Sequence, residues 1–408
     1  MRKAFILVSM VVTIVLFGMG HNVYAEPKSD LRDRSVREVV FAVAKRQMRT
    51  LTEGEWKRAT EQESMDSKLS AGAKWNYPWG VTLYGLLRLS EVSGDKTLSS
   101  YVLQHNGLVV KDYEYIKWRE QTFGKRGEVK QYHQLFRLIC LDDCGSMANA
   151  WTAGLMASGG QTPPEMFKLS KLCADYISNK QSRFPDGTFC RGTSLWADDL
   201  YMSCPFLARW SVYTFDDKYI TDAAQQIINQ AKRLQDKDGL WYHGWYDDQQ
   251  KTTSCKWGRA NGWSIVSQVE VLSYLSEKHP GRDKLLTILR KHIDGLKRVQ
   301  SPSGMWRQLL DRPDFWEETS CTAMFTYAIA RACNKGWIPK ENMKYAEKGF
   351  RALKTRIALD GTVIGTCIGT NIGPNHDYYF TRAQPVDDEH GQGAILLAGA
   401  ELMAAGMD

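Results

Sequence analysis

The chain has 408 residues, of which 43% are apolar and 24% charged, with a formal net charge of +7. That apolar share is ordinary for a globular protein, so the composition excludes a disordered chain and leaves room for one large domain or two ordinary ones. The positive excess is mild and scattered, without a basic block, which excludes a nucleic-acid footprint and suits, weakly, an anionic ligand.

In chain order, Arg2 and Lys3 precede an apolar run over residues 4–17 and a small-residue site, Val23-Tyr24-Ala25, followed by polar Glu26-Pro27-Lys28. This predicts a signal peptide over 1–25 and an exported protein, periplasmic or secreted. The run is short for a membrane span and no later stretch is apolar for long enough, so no membrane attachment is expected after cleavage. The nine cysteines are scattered, with no C-x-x-C and no zinc-like histidine spacing. They read as buried free thiols, and no metal site is expected.

Apolar residues then recur at three-four spacing over 36–51, 79–92, 146–158, 164–176, 195–213, 223–234, 261–275, 285–299, 320–332, 343–353 and 391–403, which predicts helices throughout. Between them a turn repeats. Pro185-Asp186-Gly187-Thr188-Phe189 returns as Lys237-Asp238-Gly239-Leu240-Trp241, as Pro302-Ser303-Gly304-Met305-Trp306 and as Leu359-Asp360-Gly361-Thr362-Val363. Its glycines lie roughly 50 to 65 residues apart, the span of one helical hairpin with its loops. A hairpin cannot bury its apolar side alone, and about six in a ring would do so. The expected fold is therefore all-α, an (α/α)6 barrel forming one domain over 26–408, with loops at one rim making a cleft. An open solenoid would have shorter and more regular repeats.

The candidate chemistry lies in those loops. Two aspartate pairs, in Leu141-Asp142-Asp143-Cys144-Gly145 and Trp196-Ala197-Asp198-Asp199-Leu200-Tyr201-Met202, stand at expected helix starts. One aspartate would cap each helix, leaving its neighbour for the cleft. A carboxylic proton donor needs its pKa raised by apolar walls or a like charge; Trp196 and Met202 could form the wall for Asp198, and Asp143 could supply the charge. In Trp257-Gly258-Arg259-Ala260-Asn261-Gly262-Trp263, Arg259 could hold a carboxylate with two parallel bonds, and Trp263 lies on the same helical face. His243 stands among aromatic residues in Trp241-Tyr242-His243-Gly244-Trp245. Helix capping is the expected role of Asp387-Asp388-Glu389-His390, with cleft lining second, and of Glu317-Glu318-Thr319-Ser320. Tryptophans beside carboxylates and an arginine suggest stacking on an acidic sugar.

Taken together and in order, these motifs resemble those of the unsaturated rhamnogalacturonyl hydrolases of glycoside hydrolase family 105, over most of the mature chain. The unsaturated glucuronyl hydrolases of family 88 are similar. Ala260 departs from the pattern, which usually has a glycine there. The resemblance implies a six-hairpin barrel, no metal or organic cofactor, and an unsaturated oligosaccharide as substrate. It implies hydration of the C4=C5 enol ether of a terminal uronic acid. Asp198 would protonate C4 and help activate water, Asp143 would bind hydroxyls and tune Asp198, and Trp196, His243, Arg259 and Trp263 would position the ring. The bare residues also allow an ordinary glycosidase, a uronate lyase, an isomerase on a similar barrel, or a non-catalytic sugar-binding protein. A glucuronyl-rhamnose or glucuronyl amino-sugar substrate would fit the same motifs.

Overall fold

A computed structural model describes residues 31–159 and 164–408 of the chain. The expected signal peptide lies outside the described residues. Among the described residues, twelve helices of 11 residues or more alternate between an outer and an inner layer. The outer helices are α1 (Val36–Gln47), α3 (Lys96–Phe123), α5 (Pro164–Asn179), α7 (Lys218–Leu234), α9 (Arg282–Arg298) and α11 (Met343–Leu353). The inner helices are α2 (Tyr77–Ser93), α4 (Gly145–Ala157), α6 (Cys204–Thr214), α8 (Gly258–Tyr274), α10 (Thr319–Asn334) and α12 (Glu389–Ala404).

Each inner helix packs on the inner helix before and after it, and α12 packs back on α2, so the inner ring closes. The outer helix of α12 is α1, from the other end of the described chain. The expected (α/α)6 barrel is thus what the chain forms. The inner helices are buried on nearly every side, as required of helices covered by both a ring and a jacket. The outer helices keep one exposed polar face. All nine cysteines are free, and all but Cys140 are buried. Among the described residues no helix is long and apolar enough to cross a membrane.

The repeated turn is the stitch between neighbouring hairpins. Its glycines at 187, 239, 304 and 361 all have positive φ, between 83° and 106°. A Cβ on Gly239 would meet the Lys291 carbonyl of α9, on Gly304 the Lys348 carbonyl of α11, and on Gly361 the Ala42 carbonyl of α1. The first turn docks on α7, where Gln226 Nε2 donates to the Gly187 carbonyl at 2.9 Å. Each turn leaves one outer helix and seats on the next, and the last seats on the first helix of the ring. Arg46 of α1 closes the same seam, donating through Nε to Asp387 at 2.7 Å and through Nη1 to Asp360 at 3.0 Å.

A buried polar network ties the inner helices together. Glu270 of α8 accepts from Tyr84 of α2 at 3.0 Å, from Arg209 of α6 at 2.6 Å and from Tyr327 of α10. Arg209 also bonds Asn149 of α4, and Arg331 of α10 lies 3.2 Å from Glu401 of α12. Burial would push the Glu270 carboxyl up, but Arg209, Arg331 and the hydroxyl bonds hold it down to about 2. Every inner helix contributes a side chain, so the network specifies which helices may be neighbours.

Two sequence expectations change here. The 28-residue α3 carries no clean apolar stripe, because His105, Asn106, Asp112 and Arg119 share its buried face with Leu98, Val102, Val109 and Ile116. Asp112 bonds the loop ahead of α2, accepting from Trp56 at 2.7 Å and Ser70 at 2.9 Å, and also accepts from Tyr132, just beyond α3, at 2.6 Å. The helix expected over 195–213 begins only at Cys204. Ser194–Trp196 forms a short strand, β1, and Ala197–Leu200 a 3-10 turn.

The seam gives a test. Gly187→Ala meets nothing within 4 Å and should cost about 1 kcal/mol, from its positive φ alone. Gly361→Ala, whose Cβ would lie 2.3 Å from the Ala42 carbonyl oxygen, should cost about 2–4 kcal/mol. Denaturant unfolding of the two variants checks the order; equal losses would mean that the last turn does not clamp the seam.

Candidate active site

The inner helices all present their N-termini to one rim, and contacts between those ends prove the convergence. Tyr77, first in α2, bonds His390 of α12 at 2.5 Å, and its carbonyl accepts from Ser146 of α4 at 2.7 Å. Arg259 of α8 donates to Ser320 of α10 at 3.3 Å. Gly145 lets α4 approach the segment before α6 closely: a Cβ there would fall 1.7 Å from the Met202 carbonyl oxygen. This approach brings the two aspartate-pair loops together.

A cavity of about 190 Å³ opens at this rim. Its walls are Tyr77, Asp142, Arg191, Trp196, Asp198 and Met202, with Gly369, Thr370 and Asn371 from the segment before α12. This volume is below the ~300–1,000 Å³ of drug-sized sites and suits one sugar ring better than a chain. The partial positive charges of converging helix N-termini favour anions at this rim.

Short strands set the registry around Asp198. β1 pairs antiparallel with β2 (Gly244–Tyr246), placing Trp196 opposite Gly244. β2 in turn pairs with β3 (Lys251–Thr252). The amide of Ala197 donates to the His243 carbonyl at 3.0 Å. Asp198 Oδ2 therefore lies 3.1 Å from His243 Nε2. The pair is close but poorly aligned, and neither atom has a well-directed hydrogen-bond partner. His243 is backed by the Tyr379 hydroxyl, 2.6 Å from Nδ1, which itself accepts from the Gly373 amide at 2.9 Å. That arrangement favours Tyr379 donating to Nδ1, leaving an Nε2–H facing Asp198. Burial alone would raise the Asp198 carboxyl, but His243, Arg191 and Arg259 hold it below its ordinary value. The expectation of a raised pKa thus fails in the free protein, because His243 faces the carboxylate.

Each aspartate pair splits. Asp198 faces the cavity, while Asp199 is fully buried on Arg191. Asp142 faces the cavity, while Asp143, 0% exposed, accepts from Arg137 Nε at 2.9 Å and from the Ile139 amide at 2.9 Å. Asp143 is thereby corrected from cleft acid to anchor of its own turn, and the acid facing Asp198 is Asp142. Burial raises the Asp142 carboxyl against the pull of Arg191, and pushes Asp199 up to about 6.

Two further expectations move. Arg259 is 1% exposed, with its guanidinium spent on the carbonyls of Cys367 and, at 2.6 Å, Ile368. It holds the 367–371 wall from behind instead of reaching into the cavity. Glu318 grips the same wall through the Cys367 amide at 2.9 Å while capping α10 through the Cys321 amide at 2.6 Å. Trp263 is a core residue, 2% exposed, its ring tilted against Tyr201 at 4.7 Å below the site. Trp196 stays where the sequence placed it, on the cavity wall, edge-on to His243 at 5.8 Å.

Sequence reasoning passed over Tyr77, Arg191, Tyr379 and the 369–371 wall. Arg191 could have been suspected from its place between a repeated turn and Trp196. Asp388 caps α12 as expected and also bonds His390 Nδ1 at 2.5 Å, so Asp388, His390 and Tyr77 form a chain ending at the cavity. Among the described residues no cluster of three or more His, Cys, Asp or Glu is placed to hold a metal ion.

Residues 47–405 match the family model of Glycosyl Hydrolase Family 88, and the chain belongs to that family. It is 29% identical over 201 residues to the unsaturated rhamnogalacturonyl hydrolase YesR of Bacillus subtilis, covering 47% of this chain and 57% of that protein. It is 28% identical over 225 residues to an unsaturated 3S-rhamnoglycuronyl hydrolase of Alteromonas sp., covering 52% of each. The chain thus spans a little over half the length of these curated relatives. In fold it is similar to a possible family 105 member from Salmonella enterica, with a TM-score of 0.72 at 21% identity, over 98% of this chain and 100% of that one. It is also similar to the unsaturated glucuronyl hydrolase of Bacillus sp. GL1, with a TM-score of 0.61 at 14% identity, over 90% and 96% of the two chains.

The split of the aspartate pairs predicts opposite phenotypes. Asp143→Asn should cost about 1–3 kcal/mol of stability and leave turnover largely intact. Asp142→Asn should leave the melting temperature nearly unchanged and lower turnover about 100-fold or more. Thermal unfolding and steady-state kinetics of the two proteins check this, and the reverse assignment would restore Asp143 to the cleft.

Proposed function

We propose that this protein removes a terminal Δ4,5-unsaturated galacturonic acid from lyase-generated rhamnogalacturonan oligosaccharides by hydrating the C4=C5 enol ether. The observation that carries this reading is Asp198, its Oδ2 3.1 Å from His243 Nε2, on the wall of a cavity the size of one ring that Tyr77 and Trp196 also line. The family and the similarity to YesR support the unsaturated uronide; the galacturonyl-rhamnose linkage rests on that relative. The Alteromonas relative, by name an unsaturated 3S-rhamnoglycuronyl hydrolase, favours a second reading, in which the uronic acid is glucuronic and linked to rhamnose.

Asp198 supplies both proton steps. The substrate carboxylate brings a like charge and displaces water, and both raise the Asp198 pKa from its depressed free-state value, so the acid loads on binding. Asp198 gives its proton to C4, and the positive charge that develops at C5 is shared by the ring oxygen. Water adds at C5 as the Asp198 carboxylate takes one of its protons. The hemiketal opens, C5 becomes a ketone, and the hemiacetal left at C1 releases the next sugar. Asp142 accepts from ring hydroxyls and Trp196 bounds the ring. An export signal over 1–25 would place this reaction in the periplasm or outside the cell, among lyase products.

The conjugated double bond absorbs in the ultraviolet and hydration destroys it. Incubation with unsaturated rhamnogalacturonan fragments should bleach that absorbance with wild type and not with Asp198→Asn, which should lose at least about 1,000-fold. Faster bleaching of unsaturated glucuronyl-rhamnose would move the function to the second reading. No bleaching of any unsaturated substrate would overturn both and leave an ordinary glycosidase or a binding protein.

A further inference from the structure

The site contains a residue that the chemistry above does not use and that no motif singled out. Arg191 lies on a tight turn, its amide donating to the Ser194 carbonyl at 2.8 Å and its carbonyl accepting from the Ser194 amide at 3.1 Å. Its guanidinium meets three partners at once. Nε donates to Asp199 Oδ1 at 3.0 Å and Nη2 to the same oxygen at 2.6 Å. Nη2 also donates to Asp142 Oδ1 at 3.0 Å. Its Cζ lies over the Trp196 ring, 4.4 Å from the ring centre.

We propose that Arg191, locked by the buried Asp199, is the positioning residue that holds Asp142 and Trp196 in working geometry, so that these four side chains act as one unit. The inference rests on the functional reading above and extends it to residues outside direct contact with the reacting atoms.

Three physical points carry it. First, among the described residues Asp142 has no side-chain hydrogen bond except to Arg191, whereas its neighbour Asp143 is held by Arg137 and two backbone amides. The orientation of the cavity acid therefore depends on Arg191. Secondly, Asp142, Asp198 and Asp199 crowd one region with Arg191 between them. Three carboxylates this close repel, and a guanidinium shared by two of them offsets part of that repulsion and of the burial that raises the Asp142 carboxyl. Thirdly, only a rigid planar fork can take one carboxylate on an edge, reach a second, and keep its centre over an indole; a lysine ammonium cannot do all three. Asp199 is the fixed point, because it is fully buried and its own backbone carbonyl accepts from Ser203 at 2.6 Å. Arg191 thus links two loops that arrive from different hairpins, one ahead of α4 and one ahead of α6.

The test is a double-mutant cycle on the unsaturated substrate. Arg191→Gln alone should lower kcat/KM about 100-fold, the scale of a misplaced catalytic group. If it acts through Asp142, Arg191→Gln in an Asp142→Asn background should change kcat/KM by less than about 3-fold. Losses that multiply would overturn the proposal, as would an Arg191→Gln or Arg191→Lys enzyme within about 3-fold of wild type. Asp199→Asn, which keeps shape and volume, is the second variant should Arg191→Gln fold poorly. It should reproduce most of the loss, again suppressed by Asp142→Asn. A readout free of turnover separates this proposal from the functional reading. The near-ultraviolet circular dichroism due to Trp196, taken as the difference from Trp196→Phe, should collapse when Arg191→Gln is introduced. An unchanged difference spectrum would sink the positioning role whatever the substrate proves to be. Conversely, a wild type that bleaches no unsaturated uronide, with the Trp196 signal lost as expected, would overturn the function and keep the clamp.

Discussion

The apolar side of each helical hairpin can be covered only by its neighbours, and this constraint organises the whole molecule. An open stack would leave its two end hairpins uncovered. Here α12 packs on α2, and α1 jackets α12, so no end remains. Closure in turn fixes polarity: six inner helices point the same way, and their N-termini meet at one rim. The site is a consequence of closure, since Tyr77, Asp142, Asp198, Arg259, Glu318 and His390 lie within or just ahead of those six helix starts.

Polarity also sorts the charges. At the N-terminal rim, carboxylates dominate: Asp142, Asp198, Asp199, Glu318 and Asp388 face the partial positive charges of the helix ends. Deeper along the axis, Arg209 and Arg331 sit in the inner helices and meet Glu270 and Glu401. A uronate entering the cavity therefore competes with resident carboxylates for the same field. That competition offers a physical route to loading Asp198 with a proton only when substrate is present.

The same economy explains the paired aspartates. A lone acid in a loop is poorly oriented. A second acid beside it, buried on an arginine, fixes the turn and aims the first. Arg137 does this for Asp143 and Arg191 for Asp199. Adjacent residues in an extended or 3-10 turn point in different directions, so one of each pair faces the cavity. Which one does so depends on where the arginine arrives, and that is not visible in the motif.

The sequence by itself determined the all-α class, the repeated glycine turns and the two acidic loops, because these depend on local periodicity and on positive φ. The family resemblance also grouped Asp198, Trp196 and His243, and the β1–β2 pairing sets their segments side by side. Periodicity missed α3, whose buried face is polar because it bonds a loop distant in sequence. Tertiary structure alone decided that Asp142 and not Asp143 faces Asp198, that Arg259 serves the 367–371 wall, and that Trp263 belongs to the core. Each of these turns on the direction of a side chain set by residues far away in the chain: Arg191 against Asp142, the Cys367 and Ile368 carbonyls against Arg259, and Tyr201 against Trp263. Spacing along a chain carries no information about such partners until the ring has closed.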